Sequence, residues 1–168
     1  MTPPRLPTRL LQRWLPAESV EAVLGDLTEG YEDIATKEGS RRANAWFWRE
    51  TLLLLRELGV AHTVVDGPQG FSNSVPALWE VTHPRYALLR LHGRNSATWN
   101  VKGQTSASDR FNYDYPDGEL RDMVPRIQQL ALTAMQTHVI FNNNMEDQGV
   151  RNARRLMELL KVTSSDRR

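Results

Sequence analysis

Residues 86–92, with the sequence YALLRLH, decide the fold that we predict. They form a short, mostly apolar run, and two comparable runs occur elsewhere in the chain, AHTVVD at 61–66 and THVIF at 137–141. Short apolar runs of this kind, bounded by glycine, proline or asparagine, are typical of buried β-strands. We therefore predict three strands.

Helical patterns lie between and after these runs. A helical stretch is predicted at about 119–136, between the second and third strands, and another at about 150–160. A strand, helix, strand connection of this length favours parallel neighbours, and nearly continuous apolar strands indicate burial on both faces. Residues 59–168 are thus predicted to form an α/β unit with parallel strands, as in part of a (β/α) barrel. We expect Pro125 to kink or restart its helix.

The first segment, residues 1–58, differs from the rest because it reads as helices only. Apolar residues recur at helical spacing up to Pro16, again up to Gly39, and again to Leu58. Ser40 is a candidate cap for the third helix. We predict a small all-α segment of three amphipathic helices.

Composition excludes several classes of function. The 21 basic and 20 acidic residues give a net charge of +1, so the chain is no polycation. It contains no cysteine, which removes disulfides, thiolate catalysis and thiolate metal sites. No apolar run approaches the roughly 18 residues of a spanning helix, and no secretory signal is evident. We predict a cytoplasmic protein without direct membrane insertion.

Three sequence blocks in the first segment carry a resemblance: LPTRLLQRWLP, ESVEAVLGDLTEGYED and ANAWFWRETL. They resemble the soluble prefix found ahead of MacB-like ABC transporter permeases. The resemblance implies a helical interaction module with such a permease as its partner. Because the spanning helices of a permease are missing, it does not imply transport.

Further blocks after residue 59 are similar to a second family: VVDGPQGF, SVPALWEVTHP, YALLRLHGRNSATW, RFNYDY, THVIFNNN and RNARRLMELL. They resemble the C-terminal part of domain-of-unknown-function family 72, the YecE-like barrel family, from about residue 48 or 59 to 160. The resemblance implies a partial TIM-barrel-like fold of unassigned role. Since the opening strands of the family have no counterpart here, we expect a truncated barrel. A gene fragment, a mispredicted start, and a true fusion that completes its sheet as a homo-oligomer are all compatible with this expectation.

Polar residues at the predicted strand ends are the candidate ligand-binding residues, because loops after the strands form the active face of α/β barrels. They are Asp66, His92, Arg94, Asn95, Asn142 and Asn143. Asp66 and His92 suit acid–base roles, and Arg94 suits an anion. We therefore predict a pocket for an anionic or phosphate-bearing ligand. Alternatively, Asp66 and the asparagines cap turns and bind nothing.

We predict neither a metal nor a cofactor. Only Asp66 and His92 lie where metal ligands would converge, and a hydrolytic metal needs at least three. No glycine motif has the spacing of a nucleotide-binding loop. A phosphodiester hydrolase like endonuclease IV is an alternative that rests on fold analogy alone.

The stretch after the second predicted strand combines basic and aromatic residues. They are Arg94, Lys102 and Arg110 with Trp99, Phe111, Tyr113 and Tyr115. Such a set binds phosphate-bearing or base-containing ligands by charge and stacking. A long loop packed by its own aromatic side chains has the same composition, and we favour that interpretation. The sequence therefore predicts a barrel-family protein with an anion pocket and no identifiable reaction.

Overall fold

The computed structural model describes residues 2–71, 73–101 and 107–161. The chain divides into two compact units, Met1–His62 and Thr63–Arg168. The first unit is helical and the second contains a parallel sheet with helices. The predicted α/β class, with parallel strands after a helical segment, is confirmed.

Three helices form the first unit: α1 (Arg5–Trp14), α2 (Val20–Glu38) and α3 (Ser40–Glu57). Their shared core includes Leu11, Tyr31 and Phe47, and the Tyr31 and Phe47 rings meet edge to face with centroids 6.0 Å apart. Gly30 lets α3 approach α2, since a Cβ there would lie 2.5 Å from the Trp46 ring.

A single residue, Gly39, separates α2 from α3. Its φ of 88° lies in the left-handed region that favours glycine, and its N–H donates to the Ala35 carbonyl at the end of α2. Gly39 also occupies the N-cap position of α3, and Ser40 is the first helical residue. The prediction that Ser40 caps α3 is therefore wrong, because the sharp turn already uses Gly39.

Three parallel strands form the sheet of the second unit: β1 (Thr63–Asp66), β2 (Tyr86–Leu91) and β3 (Gln136–Phe141). Their order is β1-β2-β3, so β2 is central. Val65 pairs with Arg90, and Arg90 pairs with Ile140. The strand ends Asp66, Leu91 and Phe141 form the next row, which places the following loops at one edge of the sheet.

Three further helices accompany the sheet: α4 (Ala107–Arg110), α5 (Asp117–Thr133) and α6 (Gln148–Leu160). The core of this unit joins the buried β2 residues Ala87, Leu89 and Leu91 to apolar residues of α5 and α6. Helix α5 runs continuously through Pro125, so the helix does not restart there, and the alternative that Pro125 kinks it stays a prediction. The predicted α5 and α6 begin two residues too late, and the short α4 was not predicted.

None of the helices in the described part of the chain combines the length and apolar character that membrane crossing requires.

Candidate functional site

The two faces of the sheet differ in what covers them. Side chains alternate along a strand, so Ala87, Leu89 and Leu91 share one face while Leu88 and Arg90 lie on the other. The first set is buried against α5, and we call that side the helix-covered face. Leu88 and Arg90 are half-buried on what we call the opposite face. Residues that follow the strands therefore divide into two groups.

Asp66 and Arg94 form the centre of the first group. The guanidinium of Arg94 donates from Nε to both Asp66 carboxylate oxygens, at 3.1 and 3.0 Å, and from Nη2 to Oδ1 at 2.8 Å. The Asp66 side chain is 7% exposed and that of Arg94 is 38% exposed. Hydrogen bonding to Asp66 raises the pKa of Arg94 above its ordinary value. The fork of Arg94 is thus directed at a carboxylate of the protein itself.

Tyr115 joins this pair to the turn after β2. Its hydroxyl donates to Asp66 Oδ2 at 2.7 Å and accepts from the Gly93 backbone N–H at 2.8 Å. Burial, followed by the negative charge of Asp66, raises the pKa of Tyr115 well above its ordinary value. The hydroxyl therefore stays protonated and serves as the buried donor that Asp66 needs.

Glu119, in the first turn of α5, extends the group. Its Oε2 lies 3.2 Å from Arg94 Nη1, and its Oε1 accepts from the Tyr113 hydroxyl at 2.8 Å. Burial and the bond to Glu119 raise the pKa of Tyr113 to about 12. We name Asp66, Arg94, Tyr115 and Glu119 the carboxylate brace, because one cation holds two carboxylates from different elements.

Asn143 lies beside the brace and connects β3 with α6. Its side-chain N–H₂ donates to the Tyr113 carbonyl at 2.8 Å and to Asn152 Oδ1 at 2.7 Å. Asn152, on α6, in turn donates to Asp114 Oδ1 at 2.9 Å. Asn143 is fully buried, and both of its donors go to protein groups. These bonds fix the loop that carries Tyr113 and Tyr115.

Arg90, His92 and Asn142 form the second group, which lies at the ends of β2 and β3, and we name it the opposite-face cluster. Arg90 Nε lies 3.4 Å from Asn142 Oδ1, a weak hydrogen bond. Arg90 forms no ion pair with any carboxylate in the described ranges. Its guanidinium thus keeps most of its donors unused, in contrast to that of Arg94.

His92 is the titratable member of the opposite-face cluster. Burial lowers its pKa, the charge of Arg90 lowers it further, and Asp66 acts in the other direction. The imidazole is therefore neutral at pH 7. Its Nδ1 is buried without a hydrogen-bond partner, and its ring lies 5.4 Å from that of Phe111.

Asn95 belongs to neither group. Its side chain donates to the Asn112 carbonyl at 2.8 Å and accepts from the Thr98 N–H at 3.3 Å. Nearby, Trp99 meets Phe111 edge to face at 6.3 Å, and Arg110 lies 5.7 Å from the Trp99 ring. These contacts are those of a loop ordered by its own aromatic residues. Lys102, from the same predicted set, lies outside the described residues.

The six candidate residues that the sequence predicted thus lie in three different places. The structure brings Asp66 and Arg94 together and links Asn143 to them through the Tyr113 loop. His92 and Asn142 lie in the opposite-face cluster, and Asn95 lies in the loop. Sequence reasoning assigned no site role to Arg90, although a charged residue inside an apolar strand was a usable signal. Tyr115 was noted only as a loop aromatic.

Metal ligands do not converge in the part of the chain that the structure describes. No group of three or more His, Asp or Glu side chains there is arranged to hold an ion. The polar network instead consists of carboxylates paired with arginine, tyrosine and asparagine donors. The side chains of this network can form hydrogen bonds with polar or anionic groups.

Comparison with known proteins identifies a family. The sequence profile of the family described as "Protein of unknown function DUF72" matches residues 40–167. UPF0759 protein YunF of Bacillus subtilis is 31% identical over 130 residues, which are 74% of this chain and 46% of YunF.

Solved structures agree with that match. A DUF72 family protein of Enterococcus faecalis superposes with a TM-score of 0.65 at 31% identity, covering 70% of this chain and 42% of that one. A DUF72 family protein of Thermotoga maritima gives a TM-score of 0.59 at 30% identity, covering 67% and 41%.

The chain spans less than half the length of these relatives. The family match begins at residue 40 and so includes α3 as well as the sheet unit. The resemblance of the second segment to this family is confirmed, while that of the first segment to a permease prefix stays a prediction. On the profile match and the relatives together, this chain belongs to the DUF72 family.

Proposed function

We propose that the opposite-face cluster binds a small ligand through an anionic group, a phosphate or a carboxylate. The observation that carries the proposal is Arg90, a half-buried guanidinium without a carboxylate partner at the C-terminal end of a central parallel strand. Ligands of open parallel sheets and of barrels bind at this end of the strands. The anion pocket predicted around Arg94 is thus proposed around Arg90 instead.

The other two members of the cluster suit the same ligand. His92 is neutral at pH 7 and gains a proton more readily beside an anion, which strengthens binding as the pH falls. Asn142 offers amide N–H groups for a second oxygen of the ligand. The brace occupies Arg94 and so leaves Arg90 as the cation that an anion would meet.

The location also fits the wider fold that we propose, a segment of a TIM-barrel-like structure. The parallel order and the likeness to DUF72 structures support it. In such a barrel the helices lie outside, and the opposite face, with Arg90, would point to the interior. The truncation, the permease partner, the cytoplasmic location and the phosphodiester hydrolase stay predictions from the sequence.

Titration with inorganic phosphate, followed by amide chemical shifts in nuclear magnetic resonance, tests the proposal. We expect saturable shifts at millimolar concentrations for residues 90–93 and 142. The Arg90→Gln variant should lose them, because it removes the charge and most of the donors.

Arg85→Gln is the matched control. Arg85 is exposed at the N-terminal end of the same strand, so its replacement removes the same charge at the wrong end. Equal binding by the wild type and Arg90→Gln, or no saturable shift in the wild type, would overturn the proposal.

A further inference from the structure

The loop after β2 places two aromatic rings next to the opposite-face cluster. The centre of the Phe111 ring lies 5.4 Å from that of His92, and the centre of the Trp99 ring lies 6.3 Å from that of Phe111. The guanidinium of Arg110 lies over the Trp99 ring, 5.7 Å from its centre. Phe111 and Trp99 are both half-buried, so part of each ring remains accessible. An apolar surface thus begins beside the polar groups of the cluster.

Neutral amide side chains flank the Trp99 ring. The indole Nε1–H of Trp99 donates to Asn73 Oδ1 at 3.1 Å. The side chains of Asn73 and Asn100 also pair with each other, through hydrogen bonds of 3.0 and 3.3 Å. Asn73 belongs to the loop after β1 and Asn100 to the loop after β2, so this pair joins the two loops. Both asparagines are exposed to solvent.

The paired amides keep hydrogen-bonding capacity for a ligand. An asparagine side chain has two N–H groups, and its oxygen accepts two hydrogen bonds. Within the described ranges, the contacts of Asn73 and Asn100 leave one N–H unused on each side chain and one acceptor site unused on Asn100 Oδ1. A hydroxyl group both donates and accepts. This mixture of neutral donors and acceptors therefore suits the hydroxyl groups of a ligand.

We propose that the ligand of the opposite-face cluster is a phosphorylated sugar, whose phosphate binds at Arg90 and whose ring packs on Trp99. This inference rests on the anion site proposed above and adds the chemical class of its ligand. The C–H groups of a sugar ring form apolar surfaces that pack on aromatic rings, and its hydroxyl groups form hydrogen bonds with amides. The two loops offer both kinds of contact beside the cluster.

Adding phosphate esters to the full chain, with amide and indole chemical shifts as the readout, tests the proposal. Methyl phosphate carries the phosphate without a ring. Glucose 6-phosphate and ribose 5-phosphate add a sugar, and phenyl phosphate adds a flat ring without hydroxyl groups. We expect at least one of the sugar phosphates to bind about tenfold more tightly than methyl phosphate, because it gains hydrogen bonds and ring contacts. The Trp99 indole N–H signal should shift with that sugar phosphate.

Two variants separate the ring contact from the hydrogen bonds. Trp99→Ala should reduce the ratio of the two affinities, sugar phosphate over methyl phosphate, to about one, because the aromatic surface is lost. Asn100→Ala keeps the bond between Trp99 and Asn73. It should reduce the same ratio by about threefold, because it removes only part of the amide contacts.

Trp14→Ala is the matched control. Trp14 is 51% exposed and lies in α1, in the first unit of the chain, so its replacement removes the same side chain at a different surface. The ratio of affinities in this variant should equal that of the wild type, and the Trp14 indole signal of the wild type should not shift with any ester.

The possible results distinguish this inference from the proposal on which it rests. If both sugar phosphates bind no more tightly than methyl phosphate, the sugar assignment is overturned and the anion site remains. Phenyl phosphate that binds more tightly than either sugar phosphate would also overturn the assignment, because it indicates ring stacking without recognition of hydroxyl groups. So would a preference for sugar that Trp99→Ala leaves unchanged. The absence of saturable shifts with all four esters would overturn both proposals.

Discussion

The carboxylate brace and the opposite-face cluster both lie at the C-terminal ends of the strands. Each contains an arginine, and the two arginines differ in their hydrogen-bond partners. In the brace, Arg94 gives three hydrogen bonds to the nearly buried Asp66. In the cluster, Arg90 has one long contact with Asn142 and no carboxylate. Saturated polar groups stabilise a fold, whereas unsaturated ones are available to a ligand. The two arginines thus differ in the number of guanidinium donors that remain unused.

Removing Asp66 should cause the largest loss of stability, because its carboxylate accepts from both Arg94 and Tyr115. Asp66→Ala leaves the buried Tyr115 hydroxyl without its acceptor and leaves Arg94 with Glu119 as its remaining carboxylate. Breaking a buried ion pair costs about 3–5 kcal/mol, and because Arg94 is 38% exposed we expect the lower end, about 3 kcal/mol. Urea unfolding followed by circular dichroism measures the change.

Asp122→Ala provides the reference for that experiment, because Asp122 is exposed on α5. Its replacement should change the free energy of unfolding by about 0.5 kcal/mol or less. If Asp66→Ala were as mild, the brace would contribute no net stability, and its distinction from the cluster would fail.

The Tyr115 hydroxyl should show a smaller effect of the same kind. Tyr115→Phe deletes the donor to Asp66 and the acceptor of the Gly93 N–H while preserving the ring. We expect a loss of about 1–2 kcal/mol in the free energy of unfolding. In the double variant with Asp66→Ala the two losses should not add, because the residues share one bond.

Tyr86→Phe is the control, since Tyr86 is 40% exposed at the start of β2. Additive losses in the double variant would show that Tyr115 stabilises the fold through something other than Asp66.

Replacing His92, in the opposite-face cluster, should change stability least and only in its dependence on pH. Its pKa in the folded protein is lowered, so as the pH falls below about 6.5 the unfolded chain takes up a proton before the folded one. The free energy of unfolding should therefore decrease between pH 7 and pH 5. In His92→Gln this part of the decrease should be absent.

The wild-type chain, measured at the same pH values, is the reference for that comparison. Urea midpoints at several pH values suffice for the measurement. A His92→Gln profile that matches the wild type would show that His92 is not held neutral by its surroundings.

Much of the fold could be predicted from the spacing of apolar residues and from the glycine, proline and asparagine residues that bound the apolar runs. The apolar run at 86–92 became β2, the helical stretch after it became α5, and the intervening lengths required parallel strands. The division of the candidate residues between the brace and the opposite-face cluster could not be predicted in this way. Asp66 and Arg94 share a face with α5 while Arg90 does not, and a shift of one residue exchanges these roles.

The partners of the site residues were also beyond sequence reasoning. Tyr115 reaches Asp66 from 49 positions away, and Asn152 reaches Tyr115 from 37. Loop stretches carry no periodicity that fixes where their side chains end up, so such pairings depend on tertiary structure. Composition indicated that aromatic and basic residues were present there, but not that a tyrosine hydroxyl would complete the brace.

The sheet register has a consequence for the order in which the chain acquires structure. Helices α2 and α3 are neighbours in sequence, but Thr63 pairs with Leu88, 25 positions on (88 − 63), and Tyr86 with Gln136, 50 positions on (136 − 86). Contacts at long sequence separation form slowly. During synthesis, β3 can therefore pair with β2 only after the whole of α5 has left the ribosome. Until then the edge of β2 that β3 covers stays unpaired and open to misassembly.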